Sequence, residues 1–450
     1  MRAIPSSLRR IAFFLLLPAA LLVWSWVMAN EQPPATAVTA TAPALPGLGL
    51  DSLNADHALA QLDRRIEAYP TDHEARLLRG LLLFKLGRVE NALQEIDSLL
   101  EKAPEFHLAH LIRGDILHST VDTVSDVGDV GILPVQDGDR LDRQLALLRE
   151  EAAARLDAYM AQLDRRRLPA SLLQLDPSVE YAVVVDKSLN RLYLYHATRP
   201  DAPPKLVRDL YVSTGKLDGN KQKRGDLRTP EGVYFVTSWI PDERLPARYG
   251  IGAFPVNYPN ELDRRLGKTG DGIWLHGTEP SYYSRPPRDS EGCVVLPNID
   301  LGTLLDDIRP GVTPVIIGGR VDWITPEEWR AERASLNRAL EAWRRDWASL
   351  DTERYLSHYA EDFWSGRHDL ASWAKRKRRI ARGKTFQKIS LSEVSFYRYP
   401  YAVDGRDIVV ARFRQHYASN NYRGDVYKRL YLVRPSDQPE APWKILYEGS

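Results

Sequence analysis

Cys293 is the only cysteine in the 450-residue chain, and it stands in Ser290-Glu291-Gly292-Cys293, shortly after His276-Gly277. One thiol has no disulfide partner within its own chain. A lone cysteine is ordinarily an inert, small apolar residue. A preceding glycine, a polar turn and a histidine in the same segment point instead to a nucleophile. Thiol catalysis needs a thiolate, a base or imidazolium partner, a group that orients that partner, and backbone donors for the oxyanion. Cys293 supplies the first. His276 is the best second, because it ends the predicted strand Ile273–Leu275; His196 also ends a predicted strand, but nothing ties it to the thiol. Gly277 lets the backbone pass close, so its carbonyl is expected to hold the imidazole tautomer in place of a carboxylate. Gly292 frees the turn, so the N–H groups of Glu291, Gly292 and Cys293 are expected to point at one oxygen. An imidazolium beside the thiol would lower its pKa and produce thiolate at neutral pH.

These groups need a frame, and residues 178–320 read as one. Tyr181–Asp186 and Arg191–Tyr195 are predicted strands joined by the turn Lys187-Ser188-Leu189-Asn190. Asp209–Ser213, Val233–Ser238, Gly272–Leu275 and Val312–Ile317 continue the series. Short strands with Gly and Pro punctuation imply a compact β domain, sandwich or barrel. The stretches 241–270 and 278–289 are rich in Pro, Arg and Tyr, and loops of that length in a compact domain are usually functional.

The flanks differ in character. Asp51–His118 is helical and repeats: Pro70 and Pro104, Ala75 and Ala109, Arg79 and Arg113, and Gly80 and Gly114 each stand 34 positions apart. That is the period of tetratricopeptide repeats. Ala58, Leu62 and Pro70, and one period later Ala92, Ile96 and Pro104, occupy the small, apolar and terminating positions. Two such units need further helix to be stable, and Arg140–Arg167 is expected to cap them. Residues 51–168 therefore read as a TPR-like region, either a docking surface for a protein partner or a packed spacer. Residues 326–450 open with an amphipathic helix, Pro326–Leu350, bearing Trp329, Trp343 and Trp347. Shorter helices are expected at Thr352–Phe363 and Leu370–Arg382, then strands at Lys388–Tyr397, Asp407–Ala418, Gly424–Pro435 and Trp443–Tyr447, an α+β, cone-like pattern. The run Lys375-Arg376-Lys377-Arg378-Arg379 reads as a solvated helix face, or as a contact for acidic wall material or anionic lipid.

Lys and Arg number 61 against 60 Asp and Glu, so no whole-chain field favours nucleic acid. Arg2, Arg9 and Arg10 precede an apolar run from Ile11 to Ala29. Residues 1–29 are thus expected to be a signal peptide cleaved after Ala29, or a retained anchor in the cytoplasmic membrane, with the remainder exported to the periplasm. No cysteine follows the run, which excludes a lipoprotein anchor. Residues 30–50 are a Pro/Ala/Thr-rich linker.

The motifs carry a resemblance. His276-Gly277-Thr278, then Ser290-Glu291-Gly292-Cys293, then Asn298, resemble the signature of the L,D-transpeptidase (YkuD) family. Thr229-Pro230-Glu231-Gly232-Val233-Tyr234 is similar to that family's Thr-Pro-x-Gly-x-aromatic strand entry, as is Ser213-Thr214-Gly215-Lys216 to its neighbouring segment. Taken alone, the Thr-Pro-x-Gly piece sets backbone shape. The resemblance covers residues 178–320 and implies a mixed β-sandwich enzyme acting on peptidoglycan stem peptides. It implies that Cys293 attacks the L-centre carbonyl of the third stem residue, that terminal D-alanine leaves, and that a thioester forms. His276 would act as base and then as acid. A second stem's side-chain amine resolves the thioester in a transpeptidase, and water does so in a carboxypeptidase. No metal or organic cofactor is implied.

Ser290, Thr278, Tyr282, Arg285 and Arg288 are the expected substrate-binding residues, the arginines for substrate carboxylates. Arg224, Arg228 and Arg248 are further cations, although each alone is ordinarily a solvated surface charge. Trp274 and Tyr282-Tyr283 are expected to wall the groove, with core packing an equal alternative for Trp274. Glu291 stands where many members of the family have His, and Val295 where many have Arg; the second departure leaves the acceptor open. The arrangement as a whole, with a C-terminal part that resembles NTF2-like domains, is similar to the cell-shape-determining L,D-carboxypeptidases of curved bacteria. A non-catalytic wall-binding scaffold is the rival class, but a degenerate domain would be expected to lose Cys293 or His276. A papain-like protease would place its Cys before its His, the reverse of the order here.

Overall fold

The structure, a computed structural model, describes residues 52–122, 124, 127–128, 138–161 and 167–450. The expected leader or anchor and the linker lie outside the described residues, as does 162–166 of the expected capping helix. Among the described residues, no helix is long and apolar enough to cross a membrane.

Five helices come first: α1 (Ser52–Ala68), α2 (His73–Lys85), α3 (Val89–Lys102), α4 (His107–His118) and α5 (Gly138–Met160). Asp72 caps α2 by accepting the Ala75 N–H at 2.9 Å. Gly87, at φ 72°, breaks the chain between α2 and α3. The small and apolar residues that recur at the 34-residue offset are the seam of the bundle: Ala58, Leu62, Ala75, Ala92, Ile96 and Ala109 all have 0% exposure.

The central region begins with β1 (Leu168–Pro169), β2 (Leu172–Gln174), β3 (Tyr181–Asp186), β4 (Arg191–His196) and β5 (Lys205–Tyr211). β6 (Thr214–Gly215), β7 (Gly232–Phe235), β8 (Ile240–Pro241), β9 (Gly252–Pro255) and helix α6 (Glu261–Arg265) follow. Then come β10 (Trp274–His276), β11 (Arg288–Ser290), β12 (Val294–Val295), α7 (Asn298–Gly302), β13 (Pro314–Gly318) and β14 (Trp323–Ile324). One sheet runs β5-β4-β3-β13-β7 and a second β12-β10-β9-β8, while β6 pairs with β11. Val183, Val185, Leu192 and Leu194 of the first sheet meet Phe254, Leu275 and Val294 of the second in one core. The stretch 241–270 is not a bare loop: it contains β9 and α6, the latter started by a capping box between Asn260 and Asp263. Elements of four and five residues carry too few periods to announce themselves in sequence.

The last region holds α8 (Pro326–Ala348), α9 (Thr352–Leu356), β15 (Tyr359–Ser365), β16 (His368–Asp369), α10 (Leu370–Ala381), β17 (Gln387–Arg398), β18 (Arg406–Ser419), β19 (Tyr422–Pro435) and β20 (Lys444–Gly449). The helix expected over Thr352–Phe363 stops at Leu356. From Tyr359 the chain is extended and pairs in parallel with β20, which lets Tyr359 and Phe363 enter the core. Trp329, Leu336 and Trp343 line one face of α8 and pack on Phe396, Val409 and Phe413.

The sheet of this region has seven strands, ordered β16-β15-β20-β19-β18-β17-β2. Its last member, β2, comes from the opening of the central region. β2 pairs with β17 through Phe396 opposite Gln174 and Tyr397 opposite Leu172, and Trp329 Nε1 donates to the Leu172 carbonyl at 2.8 Å. The other face of the sheet shares a core with the central region, where Val184, Tyr193 and Val233 meet Tyr397, Ile408 and Tyr431.

Candidate active site

The site is made by a parallel strand pair. β10 and β12 align with Leu275 opposite Val294 and His276 opposite Val295. Leu275 and Val294 both point into the core. Side chains alternate along a strand, so His276, and Cys293 one residue before β12, lie on the opposite face. There they are diagonal neighbours: Cys293 is partly exposed and His276 is buried.

Each group is held by its own backbone surroundings. His276 Nδ1 donates to the Gly277 carbonyl at 2.7 Å. A carbonyl only accepts, so Nδ1 carries the proton and Nε2 presents its lone pair. The edge of the Tyr249 ring covers the imidazole at 4.9 Å between centroids. Asn298 pins the following residue, accepting the Thr278 N–H at 3.0 Å and donating to the Thr278 carbonyl at 2.8 Å. On the other side, Ser290 Oγ donates to the Cys293 carbonyl at 2.6 Å and accepts the Gly292 N–H at 3.1 Å. Gly292 stands at φ 133°, and a Cβ there would lie 2.8 Å from the Arg228 carbonyl, so only glycine fits. The Cys293 thiol donates to the Gly272 carbonyl at 3.4 Å, so it is turned toward that carbonyl rather than toward the imidazole.

Residues 180–317 match the family model of the L,D-transpeptidase catalytic domain, and residues 335–449 match that of the Cds6 C-terminal NTF2-like domain. Among solved structures, Bd1075 of Bdellovibrio bacteriovorus is 30% identical, with 63% of this chain and 97% of that chain covered and a TM-score of 0.54. The helical cell shape determining protein Pgp2 of Campylobacter jejuni is 27% identical over 62% of this chain and 96% of that one, with a TM-score of 0.51. A comparison with curated proteins finds no match.

The chain belongs to the L,D-transpeptidase (YkuD) family.

Within this YkuD domain the electrostatics differ from the ion pair expected from sequence. Burial pushes the Cys293 thiol up to about 11, against smaller opposing effects of the Trp274 backbone, Lys221 and Arg285. Burial also lowers His276 to about 4; the Gly277 carbonyl works against this, and the charges of Arg285 and Arg248 add to it. Both shifts favour the neutral forms, thiol and imidazole, and in each case burial is the largest cause.

The structure separates the expected substrate residues. The charge of Arg285 bears on both His276 and Cys293. Ser290 and Thr278 face inward: Ser290 closes the cysteine turn, and Thr278 Oγ1 donates to the Tyr282 carbonyl at 2.9 Å. Tyr282 is exposed, with its ring edge toward His107 of α4 at 5.5 Å. Arg288 pairs with Asp218 at 2.5 Å, Arg224 pairs with Asp271, and Arg228 Nε donates to the Asp218 carbonyl at 2.8 Å. Gly292, expected among the oxyanion donors, gives its N–H to Ser290 instead. Thr229 of the Thr-Pro-x-Gly segment is architectural, its Oγ1 accepting the Gly215 N–H at 2.9 Å. The Lys216 N–H in turn donates to the Ser290 carbonyl at 2.9 Å, so the upstream motifs brace the cysteine turn.

Sequence reasoning missed Lys221 and Tyr249. Lys221 is buried against Asp226 at 2.7 Å, and its charge favours the thiolate. Nothing local distinguishes it from a surface lysine. Tyr249 precedes Gly250-Ile251-Gly252, and those two glycines were its one available signal in the sequence. Among the described residues, no three His, Cys, Asp or Glu side chains gather closely enough to hold a metal ion.

The NTF2-like domain holds a separate cavity of about 480 Å³. Lys377, from the basic run read as a solvated face, turns inward and lies over the rings of Trp373 at 4.4 Å and Trp347 at 4.8 Å. Burial lowers its pKa to about 8.

Proposed function

We propose that this protein is an exported, peptidoglycan-remodelling cysteine enzyme that cleaves at the L-centre carbonyl of the third stem-peptide residue and releases terminal D-alanine. The observation that carries the reading is the placement of Cys293 and His276 on one sheet face, with the Gly277 carbonyl fixing Nδ1 so that Nε2 is left as the base. In the first step the sulfur attacks the carbonyl carbon while its proton passes to His276 Nε2. The resting thiol is neutral, so proton transfer accompanies attack rather than preceding it. Charge builds on the carbonyl oxygen, and the backbone N–H groups of Glu291 and Cys293 are the proposed donors to it. Collapse breaks the peptide bond. The imidazolium gives its proton to the departing amine of D-alanine, and a thioester remains on Cys293.

In the second step Nε2 takes a proton from the acceptor, the acceptor attacks the thioester, and the thiol is restored. A second stem's amine makes the enzyme an L,D-transpeptidase, and water makes it an L,D-carboxypeptidase that trims tetrapeptides to tripeptides. The likeness to a helical cell shape determining protein supports a role in cell shape, and with it water as the acceptor. The proposed location is periplasmic, free or anchored by residues 1–29. The α1–α4 helices are proposed as TPR-like pairs.

The test is incubation of the purified protein with tetrapeptide muropeptides, read by mass spectrometry. Tripeptides with free D-alanine are expected, and crosslinked dimers would assign transfer instead. Cys293→Ala is expected to abolish both products. D-alanine release by that variant would reject the mechanism.

A further inference from the structure

The loop between the two catalytic residues is anchored outside its own domain. Tyr283 stacks on Phe106 at 4.0 Å between ring centroids and belongs to the apolar core of the helical region. Its N–H donates to the Glu105 carbonyl at 3.3 Å. Ser284 Oγ donates to Glu151 Oε1 of α5 at 2.6 Å. The Arg285 carbonyl accepts from Tyr211 Oη at 2.9 Å, and the Arg155 guanidinium of α5 lies over that same tyrosine ring at 3.8 Å. Arg155 also pairs with Glu151 and with Glu74 of α2, each at 2.7 Å, and Glu74 reaches Arg191 of β4 at 2.7 Å. The helices that supply these anchors precede residue 180, where the match to the catalytic-domain model begins.

We infer that the helical region is a positioning element for the enzyme's own substrate loop: Glu105 and Phe106, just before α4, and Glu151 of α5 grip Tyr283 and Ser284 and thereby fix Arg285 in the loop between His276 and Cys293, where it receives the carboxylate of the stem peptide's leaving residue. This rests on the stem-peptide reading above. The side chain of Arg285 has little else to hold it. Its own contacts are the Arg248 carbonyl at 3.4 Å and Asp289 at 3.9 Å, both at the outer limit for such interactions. Its place therefore follows from its backbone, and its backbone is held by the helices. Ser284 and Tyr283 are positioning residues, since neither is required to touch substrate.

The experiment uses the full chain and two peptides, a tetrapeptide with a free terminal carboxylate and the same peptide with a terminal carboxamide. For Ser284→Ala, KM for the free acid is expected to rise about threefold to tenfold, the scale of one ordinary hydrogen bond, with kcat nearly unchanged. KM for the carboxamide is expected to stay at the wild-type value, because Arg285 has no anion there to hold. Ser284→Thr keeps the hydroxyl and should restore the free-acid KM, and Tyr283→Leu should repeat the Ser284→Ala pattern. Wild-type constants in both loosened variants would overturn the inference, as would equal losses on the two peptides. If the wild-type chain released neither D-alanine from the free acid nor D-alaninamide from the carboxamide, the proposed reaction itself would fall, and this inference with it.

Discussion

Asn298 Oδ1 occupies the space that a side chain on residue 277 would need, 2.1 Å from where the Cβ would stand. The same oxygen accepts the Thr278 N–H at 3.0 Å. Gly277→Ala must therefore displace Asn298 and shift the carbonyl that holds His276. The expected result is a roughly hundredfold loss of D-alanine release, the usual cost of misplacing a catalytic group by about an ångström. Far-UV circular dichroism should remain unchanged. Near-wild-type turnover would show that this carbonyl does not govern the imidazole.

Burial lowers His276 to about 4, so the neutral imidazole is the form proposed to act as base. The acid limb of kcat/KM is therefore expected near that value rather than near 6.5. The sign for stability follows from the same shift. The folded pKa lies below the unfolded one, so this histidine's contribution is complete above 6.5 and is lost as pH falls from there toward 4. The thiol should behave oppositely: alkylation by iodoacetamide is expected to be slow at neutral pH and to climb until about 11. Fast alkylation at neutral pH would reveal a preformed thiolate.

Glu74 is buried among Arg191, Arg155 and Arg65. Burial alone would raise its pKa, but the charges of Arg191 and Arg155 outweigh that and hold it well below the ordinary 4.5. Glu74→Ala would leave buried guanidinium groups short of a partner, so a loss of about 3–5 kcal/mol is expected in urea unfolding. The stability that Glu74 contributes is present above pH 4.5 and is lost as pH falls below it. A variant as stable as the wild type would mean that water replaces the carboxylate.

Gly80 and Gly114 are equivalent in the 34-residue repeat but not in their surroundings. A Cβ on Gly80 would meet Ile96 Cδ1 at 2.6 Å, whereas one on Gly114 would meet nothing within 4 Å. Gly114→Ala is expected to raise the thermal midpoint, since alanine favours helix by about 1 kcal/mol. Gly80→Ala should lower it by overpacking. Equal shifts in the two variants would contradict this packing.

Cys293 and His276 stand out in the sequence because the features around them are local. A cysteine after Gly292 and a histidine before Gly277 carry their turn geometry and their tautomer with them. The substrate residues were less legible, because side-chain direction depends on pairing over long range. Ser290 and Thr278 look polar and available in sequence, yet the β6–β11 pairing and Asn298 turn them inward. Arg288 resembles Arg285 in sequence but finds Asp218, 70 residues away. The basic run around Lys377 reads as solvated because nothing nearby in sequence announces the rings of Trp347 and Tyr355. Strand β2 escaped notice because three residues carry no period.

That short strand has a practical consequence. Cutting the chain at residue 178, where sequence suggests a boundary, would remove the outermost member of the C-terminal sheet and leave β17 with unpaired backbone groups over its contact with β2. Trp329 would also lose the acceptor for its ring nitrogen. Bare strand borders invite pairing between molecules. A truncated enzyme meant to isolate catalysis would be prone to self-association, and fragments for expression should begin before Leu168.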